Sequence, residues 1–120
     1  MKKYRIYGNI ASSKNSKIKT RWGIVDSAAT KKCYKMIIPQ LEEIRDEFRM
    51  QCDHFPIKLH IYFHRYTKHK FDYINPCQTL QDAMVKAGLL DDDNANIVIP
   101  VFEGYDITNR EHSGCEFWVE

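Results

Sequence analysis

Residues 70–94, KFDYINPCQTLQDAMVKAGLLDDDN, read as a short helix set between two acidic ends. Asn75 is a good N-cap, and Pro76 a good first helical residue because its missing N–H has no partner to lose there. Leu80, Ala83, Met84 and Ala87 recur at helical spacing, and Gly88 supplies the stop. Asp72 precedes the helix; Asp91, Asp92 and Asp93 follow it. Upstream, Ile57, Leu59, Ile61 and Phe63 alternate with Lys58, His60 and Tyr62, the period of a half-buried strand. His60 is expected on that strand's outer face. Downstream, residues 96–102, NIVIPVF, read as a buried or edge strand in which Pro100 favours an edge or a bulge. A strand, a helix and a strand in succession set the class.

Working outward, residues 3–10 alternate and read as a strand, whereas residues 11–20, ASSKNSKIKT, read as a long polar loop. Residues 21–26 read as a second short strand. Ser27 is the expected cap of a long helix over 28–50, with Ala29, Cys33, Met36, Ile37, Leu41, Ile44 and Phe48 as its apolar stripe. Pro39 should kink that helix or split it. Residues 115–119 supply a last short strand. The expected fold is a single α/β domain over 1–120, of mixed α+β type. It has one small mixed sheet with two main helices packed on it.

Composition narrows the class further. The chain has 120 residues, 43% hydrophobic and 28% charged, which suits a globular domain. No apolar run approaches the ~18 residues of a membrane span. The basic start alternates and never becomes a signal core, so a cytoplasmic protein is expected. Cys33, Cys52, Cys77 and Cys115 lack metal-ligand spacing and read as reduced, mostly buried thiols. Residues 1–35 hold ten Lys/Arg against Asp26, a balance of +9; the remainder carries eight against fifteen acids, a balance of −7. Either the domain has two electrostatic faces, one for a polyanion, or the segments interleave and neutralise.

Three aspartates after a helix C-terminus add charge to an end that is already partly negative. A cation or a nearby basic segment would relieve this. Mg²⁺ takes hard oxygen ligands, commonly one or two carboxylates with water and phosphate. Asp72 with one or two of Asp91–Asp93 would suffice. The plainer reading is a polar turn capped by Asp91 or Asp92. Asp82, four residues before Lys86, suits a helix-surface ion pair. His64 and His69 border a basic loop.

The segment FDYINPCQTLQDAMVKAGLLDDDN resembles the core of the RusA family of Holliday junction resolvases. Asp72 matches the first aspartate of that family's motif, Asn75 its asparagine, and Asp82 an aspartate within the helix. Lys86-Ala87-Gly88 matches the helix end and Asp92-Asp93 the acidic pair. The polar segment from Ser12 to Ile18 resembles a loop near the family's start. The resemblance implies a homodimeric endodeoxyribonuclease, dependent on Mg²⁺ or alternatively Mn²⁺, that resolves four-way junctions of double-stranded DNA in recombination and repair. Asp72, Asp92 and Asp93 would be its catalytic, metal-binding residues, and Lys14, Lys17, Lys68 and Lys70 its phosphate contacts. Two positions depart: Ile74 stands at the second motif aspartate and Gln78 at the helix lysine. Either Asp82 or Asp91 substitutes, or the protein binds branched DNA without cutting it. A protein-interaction module is the third class.

Overall fold

The computed structural model describes residues 2–12, the backbone of Lys17 and residues 18–120. Its elements are β1 (Tyr4–Tyr7), β2 (Lys17–Thr20), β3 (Gly23–Asp26), α1 (Ala28–Gln51), β4 (Ile57–Arg65), α2 (Ile74–Lys86), β5 (Val98–Ile107) and β6 (Gly114–Val119). A single turn of tight helix, Arg110–His112, precedes β6. The main sheet has the order β1-β6-β4-β5. β4 and β5 are parallel, with α2 in the crossover between them; the other pairs are antiparallel. β2 and β3 form a separate hairpin.

This is the expected mixed α+β architecture, with two helices on a small mixed sheet. Ile57, Leu59, Ile61 and Phe63 are buried. Phe117 and Cys115 lie opposite Ile61 and Phe63 in register, and Tyr4 and Ile6 lie opposite those in turn, so the three strands share one apolar face. Cys33, Ile37, Leu41 and Phe48 of α1 and Leu80, Ala83 and Met84 of α2 close over it. Tyr4, Phe48 and Phe117 meet with ring centroids 5.4–5.9 Å apart. The thiols are free, and three of the four are buried, as expected.

Several local expectations are corrected. Residues 17–20 are a strand rather than loop, because Lys17–Thr20 pairs with Gly23–Asp26 across a tight turn. α1 runs unbroken through Pro39, which lies on its exposed side. Met36 and Ala29 are exposed, and Thr30 is buried in their stead. α2 begins before Asn75: Tyr73 is its N-cap without a side-chain cap bond, Ile74 N–H donates to the Asp72 carboxylate at 3.4 Å in the turn that enters the helix, and Pro76 lies within the first turn. Ser27 caps α1 as expected, accepting from Thr30 N–H at 3.2 Å. Gly88 ends α2 at φ +86°, where a Cβ would press on Arg45.

β5 is an edge strand, which accommodates Pro100, and it runs on to Ile107. β6 is interior. Gly114 lets β1 and β6 close together, since a Cβ there would collide with the carbonyl of Ile6.

Candidate functional site

Asp72, Asn75, Gln78 and Asp82 are spaced three, three and four residues apart, which puts them along one side of α2. After Gly88 the chain turns back beside that helix. There Gln78 Nε2 donates to Asp82 Oδ1 at 2.9 Å and to Asp93 Oδ2 at 2.8 Å. One neutral amide therefore joins two carboxylates from different elements. Tyr34, Lys86 and Asp92 border the same shallow cleft, of about 320 Å³. The Tyr34 phenol is pushed up to about 12 by burial, then by the charges of Asp82 and Asp26.

The other sequence-predicted residues divide. Asp92 accepts from Asp93 N–H at 2.8 Å and from the Asn94 amide at 2.9 Å; these bonds hold its carboxyl below the usual range. It is the capped turn of the plainer reading. Asp91 pairs with Arg49 at 3.2 Å, and the same guanidinium donates to the Gly88 carbonyl at 2.9 Å. Arg49, in the last turn of α1, is thus the basic group that relieves the acidic helix end. Lys86 lines the cleft with Asp82, and its ammonium lies 5.5 Å from the Tyr34 ring centre.

Asp72 lies just before α2, at the opposite end of the helix from Gly88. Its carboxylate is held by Ile74 N–H and by the Asn75 amide at 3.3 Å. It lines a second cleft, of about 500 Å³, together with Arg65, His69 and Lys70. That cleft contains both the cations a phosphate needs and a carboxylate. Lys68 is exposed in the same loop. Lys14 and the side chain of Lys17 lie outside the described residues. Arg65 was missed by the sequence reading. Its guanidinium donates to the His69 carbonyl at 2.9 Å and stacks on Phe71, 4.2 Å from the ring centre, which stiffens the loop.

The far face of the sheet carries a second acidic cluster that the sequence did not reveal. His60 and His64 both point there. His60 is only 8% exposed, covered by Trp118, whose ring stacks on it 5.5 Å away at 6°. His60 Nδ1 lies 2.5 Å from Glu103 Oε1. Glu120 Oε2 lies 2.6 Å from Nε2, an ion-pair distance without hydrogen-bond alignment. His64 is held between Asp106 at 3.0 Å and Glu116 at 2.8 Å. A register shift in β5 beside Ile61 and Tyr62 leaves Glu103 without a partner residue on β4, next to His60.

Among the described residues, no three of His, Cys, Asp and Glu converge as a metal site of protein ligands alone requires. Two carboxylates joined by an amide do fit an ion such as Mg²⁺, which draws its remaining ligands from water and phosphate. No helix among the described residues is long and apolar enough to cross a membrane. No family model and no curated protein matches the chain.

Proposed function

We propose that the chain is a RusA-like, structure-selective, metal-dependent endodeoxyribonuclease that acts as a homodimer on four-way DNA junctions. The observation that carries this reading is the meeting of Asp82 and Asp93 on Gln78, on the side of α2 whose other end, at Asp72, opens on the basic cleft.

Asp82 and Asp93 would hold the divalent ion, with Asp92 beside them and Asp72 further along the same helical side. A bound ion would polarise a phosphoryl oxygen and supply an activated water for in-line attack. Gln78 keeps the two carboxylates together; turned over, its amide offers an oxygen in place of its N–H₂. Arg65, His69 and Lys70 would hold the phosphate backbone, giving affinity without base readout. Such contacts suit recognition of a shape rather than a sequence.

A second reading has its own support. Ile74 is 63% exposed at the first turn of α2, an aliphatic side chain where the resemblance calls for a carboxylate, and Gln78 is neutral where it calls for a lysine. These departures favour a branched-DNA-binding protein that does not cut.

The test is a gel assay on a labelled synthetic four-way junction with Mg²⁺, Mn²⁺ or chelator. Paired symmetric nicks that need metal are expected, lost on Asp82→Asn with Asp93→Asn while binding persists. A retarded junction never nicked at any metal concentration would establish the binding reading. Absence of binding at low salt would overturn both.

A further inference from the structure

The β2–β3 hairpin stands apart from the main sheet, and a two-stranded hairpin alone is at best marginally stable in water. It nonetheless exposes apolar side chains. Trp22, in its two-residue turn, is 82% exposed, and Ile24 beside it is 72% exposed. The turn itself is braced: the Thr20 hydroxyl donates to the Gly23 carbonyl at 2.8 Å and accepts from Trp22 N–H at 3.2 Å. Gly23 takes φ +118°, and a Cβ there would meet nothing within 4 Å. The indole is therefore carried on a locally fixed turn that projects clear of the fold.

Cations accompany it. Arg21 lays its guanidinium over the Trp22 ring, 4.8 Å from the centre, and Lys19, paired with Ile24 in the hairpin, is exposed. Apolar ring and positive charge together fit a nucleic acid better than an apolar protein surface, because bases offer faces for stacking and phosphates offer charge. The hairpin is also continuous with the acidic site. Asp26 at its base and Asp82 on α2 both act on the Tyr34 phenol. Tyr34 lies two turns into α1, which begins directly after β3, and it borders the cleft of Asp82 and Asp93.

We propose that Trp22 is the residue with which this protein recognises the branch point, stacking on bases that the junction leaves without a neighbour while Lys19 and Arg21 hold the adjoining phosphates. The inference rests on the branched-DNA reading above. In linear duplex every base is already stacked, so Trp22 adds little there; at a branch it has a face to cover.

The experiment compares wild type, Trp22→Ala and Trp22→Phe for binding to a synthetic four-way junction and to a linear duplex of the same sequence. A Trp118→Phe background leaves Trp22 as the sole indole, since the chain has two tryptophans. Trp22→Ala is expected to weaken junction binding by about ten- to a hundredfold, by the cost of removing one stacking aromatic, and duplex binding by less than about twofold. Trp22→Phe should keep most of the affinity, and Trp22 fluorescence should be quenched by junction but not by duplex. Equal junction binding by wild type and Trp22→Ala would overturn the inference and leave the function standing. Loss of a dimer in Trp22→Ala, seen by sedimentation, would also overturn it and assign the hairpin to a second copy. Absence of junction binding by wild type would remove both.

Discussion

On the helix side of the sheet, Asp82 and Asp93 share the neutral amide of Gln78; on the open side, Glu103, Glu120, Asp106 and Glu116 are matched to His60 and His64. Both clusters are acidic, yet they differ in what the carboxylates already hold. A cation entering at Gln78 replaces hydrogen bonds from a neutral donor, worth about 1 kcal/mol each. A cation entering at His60 would displace a ring whose two nitrogens both face carboxylates and whose plane is packed under Trp118. Carboxylate number therefore does not locate an ion site in this fold. The ion site proposed above is placed at α2 because Gln78, a donor to both Asp82 and Asp93, is neutral.

The largest effect should come from breaking the exchangeable cluster. Asp82→Asn with Asp93→Asn keeps the shape and removes two charges. Metal-dependent nicking is expected to fall on the order of 10²–10³-fold, the scale for losing a preorganised electrostatic group. DNA binding should be unchanged or tighter, since two charges facing phosphate have gone. Nicking at the wild-type rate would move the chemistry elsewhere.

The packed cluster should answer in stability instead. His60→Ala removes a buried ring from Trp118 and leaves Glu103 and Glu120 facing each other. Denaturant unfolding should show a loss of about 2 kcal/mol, from a stacked contact and the uncovered polar groups. Junction affinity should stay within about threefold, the margin of a change that touches no phosphate contact. A large loss of affinity with stability intact would make the open face the binding surface and reverse the comparison.

Ile74→Asp sharpens the helix side. The position is exposed, so the core is not disturbed, and a carboxylate in the first turn also suits the helix dipole. If the missing carboxylate limits the reaction, the nicking rate should rise about tenfold, as gaining a ligand-supporting group does elsewhere. A flat response would show that the ion is held without this position.

How much was legible in the sequence follows from which interactions are local. The Ser27 cap, the Gly88 stop and the alternation through Ile57–Phe63 each involve residues within a turn or a strand, and all were readable. β2 was not, because Lys17–Thr20 is strand only by virtue of its partner across the hairpin. Of the two outcomes expected at Pro39 the split does not occur: the helix continues through it, with the proline on an exposed side. Asn75 reads as the cap because Pro76 follows it, whereas the helix begins one residue earlier, after a Tyr73 N-cap that no side-chain pattern marks. At the site, Asp93 reads only as part of the acidic end after the helix, to be joined with Asp72; its contact with Gln78 was not foreseen, and Gln78 was legible only as a departure from a motif. His60 was expected on the outer face and lies there. Its burial, and its pairing with Glu103 and Glu120, depend on sheet register and a strand irregularity across 43 and 60 residues of chain, which no local pattern encodes.

The smallest effect is the most specific to where Asp82 sits. The Tyr34 phenol is pushed up to about 12, first by burial and then by Asp82. A phenol that holds its proton more tightly folded than unfolded stabilises the fold in full below its unfolded pKa, about 10. That contribution is lost as the pH rises from there through 12. Stability followed from pH 9 to 12, a range set by those two values, should therefore fall more steeply in wild type than in Tyr34→Phe. Asp82→Asn should shift the Tyr34 titration, read by phenolate absorbance against Tyr34→Phe, part of the way back toward 10. Burial alone would then account for the remainder. An unmoved titration would mean that the charge of Asp82 is not felt at Tyr34, and the acidic cluster would no longer border the root of the hairpin.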